Sequence, residues 1–214
     1  MFPILHLDEH LVVIDKPAGL PVLPDGWNRS APYLLSFLER QLGRIWVVHR
    51  LDKGTSGVMV FARSAEAHRA LNRQFERHET EKVYHAILTG LPHWDEKTTR
   101  FPLRSNAGHS HRTVVDDREG KPAETVFRIL RRGESHSLAE ARPRTGRTHQ
   151  VRVHAYALGF PLLGDILYSG PASDLIARPA LHAYSLALVH PISAEPLCFT
   201  ATHPADFEAA LNCL

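Results

Sequence analysis

Ile45-Trp46-Val47-Val48-His49-Arg50-Leu51-Asp52-Lys53-Gly54-Thr55-Ser56-Gly57-Val58-Met59-Val60-Phe61-Ala62 sets a polar segment between two apolar ones. The β-branched runs 45–48 and 58–62 read as buried strands. Strands hold a polar, Gly-containing loop in place, so residues 49–57 are a scaffold for a site. Asp52 is the loop's only carboxylate, between the cations Arg50 and Lys53. A carboxylate in that setting can serve as a nucleophile or a base. An isolated Arg-x-Asp turn is more often a surface ion pair of little energetic weight, so the longer context decides.

Upstream, residues 4–15 alternate and then turn apolar, with Asp8-Glu9-His10 as a turn, which predicts a hairpin or a bulged strand. Lys16-Pro17-Ala18-Gly19 ends it, since proline cannot donate to a ladder. A Pro/Gly-rich connector over 20–31 leads to a helix from Pro32 to Leu42, with Leu34, Leu35, Leu38 and Leu42 on one stripe. Downstream, Ser64 suits the N-cap of a helix reaching about Arg77. Lys82 to Leu88 reads as a strand, with Tyr84 and Ala86 on one face. Residues 92–122 are polar and read as an irregular flap bearing Arg100, Arg104 and Arg112. Strands are expected over Glu124–Leu130, Ser137–Arg142, Leu181–Val189 and Leu197–Ala201. Helices are expected from a Thr148 cap to about Leu158 and over Pro204–Leu211. Without regular βαβ alternation the class is α+β, with a mixed, largely antiparallel sheet.

Composition narrows the function. The chain has 214 residues, 43% of them hydrophobic and 22% charged, as in an ordinary globular protein. No apolar run approaches the roughly 20 residues that span a bilayer, and no secretory signal is visible, so a cytoplasmic protein without a membrane partner is expected. Two cysteines, Cys198 and Cys213, make no disulfide framework. The 15 histidines lack His-Glu-x-x-His spacing, and His109-Ser110-His111 has no third ligand, so no metal is expected. Net charge is only +2, but Arg142, Arg144, Arg147 and Arg152 fall in one stretch, and such local patches bind phosphate.

The motifs carry a resemblance. His49-Arg50-Leu51-Asp52, two variable residues and Thr55-Ser56-Gly57 resemble the catalytic motif of the RluA-type pseudouridine synthases. Lys16-Pro17-Ala18-Gly19, Lys82-Val83-Tyr84-His85-Ala86, Gly146-Arg147-Thr148-His149-Gln150-Val151-Arg152-Val153-His154, Gly164-Asp165, Tyr168 and Leu181-His182-Ala183 follow in family order. The resemblance runs from about residue 4 to about residue 207. It implies one catalytic domain over 1–214, built as a bent, mainly antiparallel sheet with peripheral helices and a central cleft. It also implies that no S4 domain is present. The implied activity is conversion of uridine to pseudouridine in structured ribosomal or transfer RNA, by a cofactor-free monomer. Asp52 would be the catalytic carboxylate, Tyr84 the residue against the target base, and Arg152 the partner of Asp52. Arg50, His49, Lys82, Arg147 and Leu181 would bind RNA, Arg50 by filling the gap left by a flipped base and Leu181 by lying beside the uracil ring. Two rival readings are a nucleoside or glycoside hydrolase using Asp52, with Asp165 as the second carboxylate, and a non-catalytic RNA-binding module.

Overall fold

A computed structural model describes residues 2–24, 30–107 and 112–214; the His109-Ser110-His111 motif lies outside the described residues. In chain order the elements are β1 (Ile4–Leu7), β2 (Leu11–Lys16), α1 (Leu34–Leu42), β3 (Trp46–Val47), β4 (Ser56–Ala62), α2 (Ala65–Glu76), β5 (Glu81–Thr89), β6 (Glu96–Thr99), β7 (Leu103–Ala107), β8 (Arg112–Val115), β9 (Thr125–Arg132), β10 (His136–Pro143), α3 (Gln150–Ala157), a 3₁₀ turn at Ile166–Tyr168, β11 (Leu181–Val189), β12 (Pro196–Thr200) and α4 (Ala205–Asn212). The architecture is α+β and mainly antiparallel. The chain divides into two compact units, Met1–Glu81 with Ala183–Thr202 and Lys82–His182 with His203–Leu214.

In the first unit the strands run β1-β2-β4-β11, with β3 pairing β4 and β12 pairing β11. Every residue of β4 is buried. Its alternate side chains Val58, Val60 and Ala62 join Leu11 and Val13 of β2, Ala67 and Leu71 of α2, and Leu186 and Leu188 of β11 in one core. The Asp8 turn forms as expected: its carboxylate accepts the backbone N–H groups of His10 and Leu11 at 2.7 and 2.8 Å. Ser64 Oγ caps α2 by accepting Ala67 N–H at 3.1 Å. The run 45–48 differs from expectation. Only Trp46 and Val47 pair, and both are half-buried. β4 pairs with β2 along its length and also with β11, so β3 has only the end of β4, Phe61 and Ala62, to pair with.

In the second unit the strands run β5-β10-β9-β6, with a separate β7-β8 hairpin. β5 separates two cores. Ala86 and Leu88 meet Phe127, Ala139 and Val151, while Ile87 meets Leu138, Leu163 and Phe207. The polar stretch 92–122, expected to be irregular, contains three strands. β6 is Glu-Lys-Thr-Thr and lies at the end of its strand order, so half of its side chains meet solvent and the apolar alternation is lost. Thr148 does not cap α3. His149 holds the N-cap position with φ +55 and ψ +19, and no side chain caps the helix.

Candidate active site

The first unit builds the loop that carries Asp52. Lys16 closes β2 and is fully buried, which is rare for lysine. Its ammonium donates to the carbonyls of Pro17 and Thr55, each at 2.8 Å, and reaches that of Lys53 at 3.5 Å. Gly19 N–H donates to the Lys53 carbonyl at 2.7 Å, and Thr55 N–H to that of Asp52 at 3.0 Å. The backbone on the C-terminal side of Asp52 is therefore tied to the Lys-Pro-Ala-Gly turn. Gly57 follows with φ +113, and a Cβ there would overlap the backbone of Ala183. Only glycine serves at that position. On the N-terminal side, His49 Nε2 accepts Val60 N–H at 3.1 Å, and the ring stacks on Phe75 at 4.6 Å. The proton of the ring thus sits on Nδ1. Leu51 is buried, Asp52 half-buried, and Arg50 and Lys53 exposed.

The second unit holds Tyr84, Lys82, Arg147, Arg152 and Leu181. Tyr84 sits opposite Ala141 in the β5/β10 register, and it packs on the same core cluster as Leu181 and Val151. Lys82 Nζ donates to the Thr145 carbonyl at 3.3 Å, and burial lowers its pKa. Gln150 holds the basic turn 144–147. Its Oε1 accepts from Thr145 Oγ1 at 2.6 Å and Arg147 N–H at 3.0 Å, and its Nε2 donates to the Glu124 carbonyl at 2.8 Å. Arg147 Nε donates to the Pro122 carbonyl at 3.1 Å. Glu124 receives Arg100 at 2.8 Å and Arg144 at 3.2 Å, and both guanidinium groups stay largely exposed. Arg152 is 7% exposed; its Nε and Nη2 donate to the two oxygens of Asp165, each at 2.7 Å.

Sequence reasoning missed the clamp by Lys16 and the support by Gln150. Both act on backbone atoms, and side-chain types alone do not reveal such partners. The signal available was position: Lys16 ends an apolar strand, and Gln150 follows a basic turn. Asp165 is 1% exposed with both oxygens engaged, so it cannot act as the second carboxylate of a hydrolase.

Comparison with known proteins agrees with these motifs. A family model described as RNA pseudouridylate synthase matches residues 10–157. The dual-specificity RNA pseudouridine synthase RluA of Pasteurella multocida is 39% identical over 92% of this chain and 91% of its own. Ribosomal large subunit pseudouridine synthase D of Xanthomonas campestris is 37% identical over 99% of this chain and 69% of its own. The structure of human RNA pseudouridylate synthase domain containing 4 superposes with a TM-score of 0.80 at 28% identity, covering 99% of this chain and 92% of that one. With a match across most of its length and the motifs in place, the chain belongs to the RluA-type family of RNA pseudouridine synthases and is an isomerase of RNA uridine.

Proposed function

We propose that this enzyme isomerises a uridine within a stem-loop of ribosomal or transfer RNA, with Asp52 as the catalytic carboxylate. The observation that carries the reading is the clamped turn at Asp52, where buried Lys16 fixes the backbone next to one half-buried carboxylate. The names of the relatives support a ribosomal substrate in one case and more than one substrate in the other.

The chemistry sets the roles. The C1′–N1 bond breaks, the uracil turns, C5 bonds to C1′, the C5 proton leaves and N1 takes one up. Atoms and charge balance, and nothing is oxidised or reduced. Asp52 acts on C1′ or on the uracil ring. Tyr84 lies against the base and takes the C5 proton directly or through water. Leu181 packs beside the uracil, and Arg152 serves Asp52. The base leaves its stack, at a cost of a few kcal/mol. Exposed Arg50 fills the vacated place, while Arg147, with Lys82 and His49 supporting the loops, meets the backbone. The enzyme works as a cytoplasmic monomer.

Asp52→Asn tests the reading. Isomerisation of uridine-labelled RNA should become undetectable, with RNA affinity within about threefold of wild type, because the change is near-isosteric. Turnover within about tenfold of wild type would overturn the assignment of Asp52.

A further inference from the structure

The buried side of Arg152 is built in more detail than an ordinary ion pair requires. Its guanidinium gives the Nε–Nη2 edge to Asp165 in a two-bond fork, and its Cζ lies 5.0 Å from the ring centre of Tyr168. The fork fixes rotation within the guanidinium plane, and the ring fixes the plane itself. Both partners are held by backbone. Asp165 lies in a closed turn: its carbonyl accepts Tyr168 N–H at 3.0 Å and Gly170 N–H at 2.8 Å. Just before it, Gly164 has φ +74, and a Cβ there would overlap the carbonyl of Arg178. Tyr168 is 2% exposed; its hydroxyl accepts Thr113 N–H of β8 at 3.0 Å and shares a hydrogen bond with His149 Nδ1 at 2.8 Å. The ring is thus anchored at its far end on β8 and on the strained residue that opens α3.

A buried ion pair is weak evidence of stability, because desolvation offsets its attraction. What a fork, a ring and two backbone anchors provide is one orientation of one cation. We propose that Asp165 and Tyr168 are positioning residues for the isomerisation, which fix the guanidinium of Arg152 and act on the reaction only through it. This rests on the reading that Arg152 serves Asp52.

The test compares Asp165→Asn, Arg152→Met, the double variant, Tyr168→Leu and Asp52→Asn. The probe is total RNA labelled with 5-tritiated uridine, from cells lacking the gene. Tritium release at saturating enzyme gives the single-turnover rate, filter binding gives RNA affinity, and thermal melting reports the fold. Asp165→Asn should slow the rate by about ten- to a hundredfold, the scale of a misplaced catalytic group, at unchanged affinity. The double variant should be no slower than Arg152→Met alone, since Asp165 then has nothing left to orient. A wild-type rate in Asp165→Asn beside a slow Arg152→Met overturns the inference and leaves the proposed function standing, even if the melting temperature falls. Additive losses in the double variant also overturn it. A wild-type rate in Arg152→Met overturns the inference together with the role given to Arg152, whereas the proposed function itself falls only if Asp52→Asn keeps its rate. If Asp165→Asn does not fold, Tyr168→Leu decides, because it keeps the ion pair and removes the ring. A slowed rate at unchanged affinity supports the inference, and a wild-type rate overturns it.

Discussion

Lys16 is a buried ammonium whose partners include carbonyls of the loop that carries Asp52. Its removal has two separable consequences. In Lys16→Met the carbonyls of Pro17 and Thr55 each lose a donor, and a buried polar group left without one costs about 1–3 kcal/mol. Losing the ammonium's own desolvation offsets part of this. Urea unfolding should therefore show a net loss of about 1–3 kcal/mol. The turn at Asp52 should also loosen, so the single-turnover rate should fall by at least about tenfold, with RNA affinity unchanged because Lys16 faces no solvent. Wild-type stability and rate in this variant would mean that the turn holds itself.

The strand β5 carries the candidate site residue Tyr84 next to a buried histidine, His85. Tyr84 points to one of its faces, and His85 to the other. His85 Nδ1 hydrogen-bonds His203 Nε2 at 2.8 Å, and His203 Nδ1 donates to Glu208 of α4 at 2.9 Å. Glu140 lies opposite His85 in the β5/β10 register, and the rings of His182 and His203 are 5.3 Å apart. Burial first, and then the neighbouring His203, lower the pKa of His85 from 6.5 to about 4, against the pull of Glu140. The fold thus prefers neutral His85. Its contribution is complete above pH 6.5 and is lost as the pH falls from 6.5 to about 4, where the unfolded chain binds the proton first. A shift of this size is worth on the order of 3 kcal/mol. His85→Asn keeps a donor toward His203 and removes the titration. Urea unfolding at pH 7 and pH 4.5 should show a smaller acid loss in the variant than in wild type. Equal losses would show that His85 is not the sensor. At this scale the sequence was readable where one face is apolar. β2, β4, β5, α2 and β11 all follow period and cap. It was unreadable at β6 and β7, whose polar side chains hide the alternation, and at the start of α3. There Thr148 has the right side chain for a cap, yet His149 takes the N-cap position in a left-handed conformation. The candidate site stands out in the sequence as motifs because its residue types are unusual together. Its supports do not, because Lys16 and Gln150 act on carbonyls and N–H groups that every residue has.

Across the whole molecule, charge is nearly balanced at +2, so attraction to RNA comes from placement rather than total. Glu124 holds Arg100 and Arg144 with their guanidinium groups largely exposed, Arg147 lies in the same basic turn as Arg144, and Arg50 is exposed on its own loop. Glu124 offsets one charge of its two arginines, and the more distant acids cancel the rest in the sum without masking it locally, since fields between exposed groups fade within about 10 Å at moderate salt. With about four phosphate contacts, the logarithm of RNA affinity should fall against the logarithm of salt concentration with a slope of about −3. A protein coated in positive charge would give a much steeper line. So few contacts reach only a short structured element. Loop bases are already partly unstacked, so flipping costs least there. A hairpin of roughly 15–20 nucleotides should therefore be modified nearly as fast as the intact RNA that contains it, whereas the same loop sequence without its stem should be modified slowly. Single-turnover rates on the three RNAs, with affinities at several salt concentrations, check both statements together. A slope near −10 would require phosphate contacts well beyond these arginines. Modification confined to assembled ribosomal particles would require a second RNA contact or a protein partner.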